Sequence, residues 1–142
     1  MPIALTKFNC WPLDLGLKKH DLSSDAFFMA LSNTAPSAGN TVLGDITQIS
    51  PGNGYSAGGF SLTATGRSFS GSGGIARMIV ADYTLSASGG NIATFRYPFI
   101  YNNTHPSKPL VGWGDIGAAI TITDGTSWLF DFDPTDGVIV IQ

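Results

Sequence analysis

The 142-residue chain contains no glutamate; all ten of its acidic residues are aspartates. Glutamate supports helices and aspartate does not, so this bias, together with 18 glycines, argues against long helices. A single cysteine, Cys10, excludes an internal disulfide framework. Between Asn9 and Trp11 it reads as a small buried hydrophobe. Charged residues make up only 12% of the chain, about half the usual share. The net charge is −3, and Lys18-Lys19 is the only adjacent pair among seven scattered basic residues. A nucleic-acid partner calls for a basic patch or stripe, so none is expected. No apolar run has the length of a membrane-spanning helix, so no membrane partner is expected. No basic segment leads into an apolar core at the N-terminus, which points to synthesis in a cytoplasm.

What remains is a chain that is 43% hydrophobic and 11% aromatic. Such a chain is not disordered, and its length suits one domain with a real core. The expectation is a single domain over residues 1–142, with residues 1–24 forming a docking arm or a short helix. Pro12 favours a helix start there, while the alternation of Leu13, Leu15 and Leu17 fits a strand equally well.

Downstream, the pattern is that of strands. Residues 25–32 read as a buried strand, and 41–50 as a strand broken at Gly44-Asp45. Residues 60–74 read as a twisted, polar-faced edge segment. A strong strand over 75–87 shifts phase near Ala81-Asp82, which predicts a bulge. The aromatic strand 92–103 carries Pro98, which belongs at an edge or a bulge because it cannot donate to a ladder. A glycine-interrupted strand follows at 110–117. Asp124-Gly125 lies between two alternating runs and signals a hairpin. On its second arm Trp128, Phe130 and Phe132 share one face. Pro134 to Gly137 make a turn before a last strand, Val138–Ile141. The sum is an all-β, jelly-roll-like β-sandwich of roughly eight strands with little helix.

The stretch ISPGNGYSAGGFSL, residues 49–62, places four glycines around Tyr55. It is one residue off the dinucleotide fingerprint, and the segment after it alternates as a strand where a phosphate site needs a helix. It reads as a run of left-handed backbone positions around one anchored tyrosine, for packing or docking. Asp131, Asp133 and Asp136 resemble a calcium loop but lack a distal glutamate, and read as a solvated strand face plus a turn. The isolated His20 and His105 have no zinc spacing. No nucleophile–base–orienter set stands out, so neither catalysis, metal nor cofactor is expected. The aromatics carry more information. Trp11, Tyr55, Tyr97, Tyr101 and Trp113 are the candidate interface residues, the last four in segments broken by glycine or proline, because interfaces favour Tyr and Trp.

Leu31-Ser32-Asn33-Thr34-Ala35-Pro36, Gly52-Asn53-Gly54-Tyr55, Phe95-Arg96-Tyr97 and Gly112-Trp113 occur in this order within segments that cover nearly all of residues 7–142. In this the chain resembles a family of tailed-bacteriophage and prophage virion structural proteins. The resemblance implies a virion component, of the capsid decoration or cement kind, bound to the major capsid protein as a homo-oligomer. The alternatives are a neck, tail or fibre protein, and a carbohydrate-binding host-recognition module with Tyr97, Tyr101 and Trp113 as its stacking platform.

Overall fold

The structure, a computed structural model, describes residues 4–142. Among them are twelve strands and one short α-helix: β1 (Leu5–Lys7), α1 (Trp11–Gly16), β2 (Phe27–Ser32), β3 (Phe60–Ser61), β4 (Arg67–Ser72), β5 (Ile75–Val80), β6 (Tyr83–Ser86), β7 (Ile92–Phe95), β8 (Tyr97–Asn102), β9 (Leu110–Gly114), β10 (Ile120–Ile122), β11 (Ser127–Phe130) and β12 (Ile139–Ile141). The all-β expectation with little helix holds. A five-stranded antiparallel sheet runs β1-β9-β8-β2-β3, a three-stranded one runs β12-β5-β4, and β10-β7 and β11-β6 form two ribbons. No helix among the described residues is long and apolar enough to cross a membrane.

The strand count exceeds eight partly because two expected strands each divide. Residues 75–87 break at Ala81-Asp82: β5 pairs with β12 and β6 with β11. At the break the Asp82 carboxylate accepts the Phe132 N–H at 2.8 Å. Residues 92–103 break at Arg96: β7 pairs with β10 and β8 with β9. Here the Arg96 carbonyl accepts the Ile116 N–H at 3.1 Å, and the guanidinium holds Asp115 by two bonds of 2.7 and 3.1 Å. Side chains thus take over the ladder where the ribbons pass from one sheet to another.

Three local expectations are corrected. The Asp124-Gly125 turn forms, but its arms do not pair with each other; β10 joins β7 and β11 joins β6. The turn is instead tied to residues 87–91, with Ala87 N–H on Thr126 O at 2.9 Å and Asp124 N–H on Asn91 Oδ1 at 2.9 Å. Residues 41–50 are not a strand. Asp45 Oδ2 accepts the backbone N–H groups of Thr41 and Val42 at 2.9 and 3.3 Å and folds Leu43–Asp45 into a 3₁₀ turn. Pro98 lies on an interior strand, opposite Leu31 of β2, and escapes conflict because the register with β9 starts one residue later, at Phe99↔Trp113.

From Ala4 onward the N-terminal segment packs into the fold, with the short helix among its elements. β1 pairs with β9, Phe8 is fully buried, and α1 begins at Trp11 with Pro12 in its first turn. The helix buries Trp11 and Asp14 and leaves Leu13 and Leu17 exposed.

The five-stranded sheet is covered on both faces. Met29, Leu31 and Ile100 face the main core, which the smaller sheets close with Met78, Ile92, Phe95 and Phe130. Phe60 stacks on Tyr83 at 3.9 Å and tilts against Phe130 at 5.2 Å, linking the layers through aromatic rings. The opposite face presents Ala30, Phe99 and Tyr101 to a second cluster with Phe8, Ile46 and Leu110. Each large side chain so enclosed contributes about 1.5–3 kcal/mol relative to exposure.

Candidate interaction surface

The glycine loop packs inward. Tyr55 is buried; its hydroxyl accepts the Leu31 N–H at 3.0 Å and donates to Gln48 Oε1 at 3.0 Å. Gln48 Oε1 also accepts the Gly58 N–H at 2.8 Å, and the Tyr101 hydroxyl donates to the Gly58 carbonyl at 2.6 Å. Burial pushes the Tyr55 phenol up to about 12 and raises Tyr101 as well. Gly59, at φ +83°, lies so close to β2 that a Cβ would run into the Met29 carbonyl. Of the two roles expected for the loop, packing is the one its contacts show.

Two of the five candidate interface aromatics, Tyr55 and Tyr101, are therefore corrected to interior positions. Tyr55 and Tyr101 are 3% and 2% exposed, and Trp11 is 6% exposed, packed on the His20 ring at 4.9 Å. Sequence cannot tell an anchored aromatic from a presented one, because both occur beside glycine and proline. Tyr97 and Trp113 remain half-buried. The Arg96 guanidinium lies over the Tyr97 ring at 5.4 Å, and Trp113 rests on Phe8 at 4.6 Å. Both share a sheet face, since Trp113 pairs with Phe99, two residues beyond Tyr97.

Beneath α1 lies a buried polar cluster. The Asn102 amide, fully enclosed, donates to Asp25 Oδ2 at 2.7 Å and Lys19 O at 3.1 Å and approaches His20 Nδ1 at 3.2 Å. Its carbonyl oxygen accepts the Thr104 and His105 N–H groups. His20 Nε2 has no hydrogen-bond partner among the described residues. Desolvation lowers His20 to about 4, so its imidazole is neutral at pH 7. Burial, and then the nearby Asp14, push the Cys10 thiol up to about 11, so it is not a thiolate. Asp14 pairs with Lys19 at 3.3 Å. The other histidine, His105, accepts from the Ser107 backbone at 3.1 Å and lies 2.8 Å from its hydroxyl, an exposed contact within one turn.

The acidic run near the C-terminus is also a turn. Asp133 Oδ1 accepts the N–H groups of Thr135 and Asp136, which lower its pKa, and Asp136 lies 3.6 Å from Arg77 Nε. No group of three His, Cys or Asp side chains among the described residues is placed to hold a metal ion.

A cleft of about 540 Å³ lies between β1, an outer strand of the five-stranded sheet, and β12, an outer strand of the three-stranded sheet. Leu5, Trp11, Val111, Val138 and Ile139 give it apolar walls. Lys7, Asp133 and Asp136 are the charged side chains in its described lining. Val140, 39% exposed, extends the apolar surface outward. Such a site offers apolar contact and backbone edges to a ligand, with few polar groups to orient a small molecule. Trp11 is the one candidate residue that the fold brings here. The remaining lining was missed because Leu5 and Val138 are distant in sequence, and only their half-apolar strand patterns hinted at a role.

No protein-family model matches the chain, and no curated protein or solved structure shows significant similarity to it.

Proposed function

We propose that this chain is a virion structural protein of a tailed bacteriophage, a capsid decoration or cement protein that binds the major capsid protein as a homo-oligomer. The observation that carries the reading is the cleft between β1 and β12, whose apolar walls and flanking strands suit an extended apolar segment of a protein partner. The resemblance of the ordered segments to phage structural proteins supplies the setting. A low-charge surface also suits wide, weakly polar contacts. A cement protein acts by adhesion: modest free energy per copy, repeated over many copies, holds a shell against internal pressure.

The test is the copy number of this chain in purified particles, measured by quantitative mass spectrometry against the most abundant virion protein. A count in the hundreds supports a shell position. A count of a dozen or fewer moves the chain to the neck, tail or fibres, and absence from the particle overturns the reading. Val140→Asp, which places a charge on the cleft rim, should lower occupancy on isolated capsids while leaving the circular-dichroism spectrum unchanged. As a carbohydrate platform the aromatics are reduced to Tyr97 and Trp113, since Tyr101 is buried.

A further inference from the structure

We propose that β4 is a self-pairing edge through which two copies of this chain join into one continuous sheet. β4 is an outer strand of the β12-β5-β4 sheet, and each of its residues after Arg67 is exposed. Exposed edges are normally guarded by shortness, charge, proline or a bulge. The other outer strands of the two larger sheets are short: β1 and β12 have three residues and β3 has two. β4 has six residues, RSFSGS, paired to β5 in unbroken register. Its one charge, Arg67, is occupied within the chain, donating from Nη1 to the Leu22 carbonyl at 3.1 Å. None of the usual guards is present.

The backbone geometry fixes how a second copy would pair. Gly73 and Gly74, at φ 61° and 82°, form a two-residue turn of the primed type, closed by Ser72 opposite Ile75. In such a hairpin the closing residues are a hydrogen-bonded pair. Alternation then turns the backbone groups of Ser68, Ser70 and Ser72 toward β5, and those of Arg67, Phe69 and Gly71 outward. An antiparallel copy centred on Phe69 matches all three outward residues: Phe69 with the partner's Phe69, Arg67 with the partner's Gly71, and the reverse. That makes about six hydrogen bonds, and a slip of two residues in either direction loses a matched pair.

The side chains agree with this register. Phe69 lies in the same row as the buried Met78 and Ile139, yet is 38% exposed because β4 overhangs the core. Pairing sets two phenylalanines side by side on that face. On the other face Ser68 meets the partner's Ser70. No like charges are opposed, since Arg67 faces a residue without a side chain. The strand is its own complement, which selects a second copy as the occupant. A single strand pair falls below the roughly 1,200 Å² of a stable interface, so the free dimer is weak. Copies held side by side on a shared scaffold would pair more readily, through raised effective concentration. This deepens the homo-oligomer part of the proposed function, but its test uses purified protein and is independent of particle copy number.

Sedimentation equilibrium from low micromolar to about 0.5 mM should show a monomer–dimer equilibrium of micromolar or weaker affinity. Phe69→Lys, which sets two charges opposite each other, should weaken it at least about tenfold with an unchanged circular-dichroism spectrum. In a Cys10→Ser background, Phe69→Cys should form a disulfide-linked dimer under mild oxidation, because a hydrogen-bonded pair spans about 5.5 Å between Cα atoms. Ser70→Cys, offset by two residues from its equivalent, should not. A wild-type chain that stays monomeric at the highest concentration overturns the proposal. So does dimerisation that Phe69→Lys leaves intact, or cross-linking through position 70 in place of 69.

Discussion

Tyr55→Phe isolates what the glycine loop contributes to stability. The change removes one oxygen and leaves the ring in place. That oxygen accepts the N–H of Leu31, a residue with no solvent exposure, and donates to Gln48. Gln48 keeps the Gly58 N–H as a partner, so the deficit falls on Leu31. A buried donor left unsatisfied costs about 1–3 kcal/mol. For a chain of this size that lowers Tm by roughly 2–10 °C. The assay is urea unfolding followed by tryptophan fluorescence, with the midpoint falling and the slope m unchanged. Gln48→Ala should couple to Tyr55→Phe by at least about 0.5 kcal/mol in a double-mutant cycle, since both act on one network. A loss below about 0.5 kcal/mol for Tyr55→Phe would refute the reasoning, because that is the range of an ordinary surface substitution.

Two other perturbations probe the interior. Burial lowers the His20 imidazole from its ordinary 6.5 to about 4, so the unfolded chain binds more protons between those limits. Its contribution is therefore complete above pH 6.5 and is lost as pH falls toward 4, up to about 3 kcal/mol. The urea midpoint of wild type should drop between pH 7 and 4.5, and His20→Gln should flatten that drop; equal slopes in both proteins would exclude His20 as the source. Gly59→Ala combines a left-handed φ of +83° with a collision against the Met29 carbonyl, whereas Gly66→Ala meets open space at φ +109°. Gly59→Ala should be the more destabilising of the two, by about 2 kcal/mol or more in the same urea assay, and similar losses would show that the loop yields at β2.

The all-β class was legible because composition acts everywhere at once: no glutamate, many glycines, and alternation in most segments. Tyr55 was legible only in part: the glycines around it marked a shaped loop, but the same pattern fitted docking on a partner as well as packing inside. The path of the strands was not. Alternation continues unbroken through Thr94, Arg96 and Pro98, so the sequence looks like one strand where the chain changes sheets. The marker of that change is the Arg96–Asp115 contact, between residues whose proximity only the fold creates. The hairpin at Asp124-Gly125 failed for the same reason: the turn chemistry was correct, but the arms found better partners in β6 and β7. The cleft was invisible because β1 and β12 come from opposite ends of the described chain.

The bent ribbons also set the order in which the molecule can assemble. β8 and β9 are joined by residues 103–109 alone, and the same ribbon continues past its bend into β7 and β10. Its ends meet across short loops, so closing it loses little chain entropy. β2 must find β8 across the whole middle of the chain, pairing Phe27 with Asn102, and β1 must find β9 from farther still. Contacts of that span slow folding to the millisecond-to-second range typical of β-sandwiches. Contact order therefore predicts that the segment from Ile92 to Ile122 forms first and the N-terminal strands join last. Conservative core substitutions at Ile100 or Val111 should slow folding, whereas those at Leu5 should act mainly on the unfolding rate.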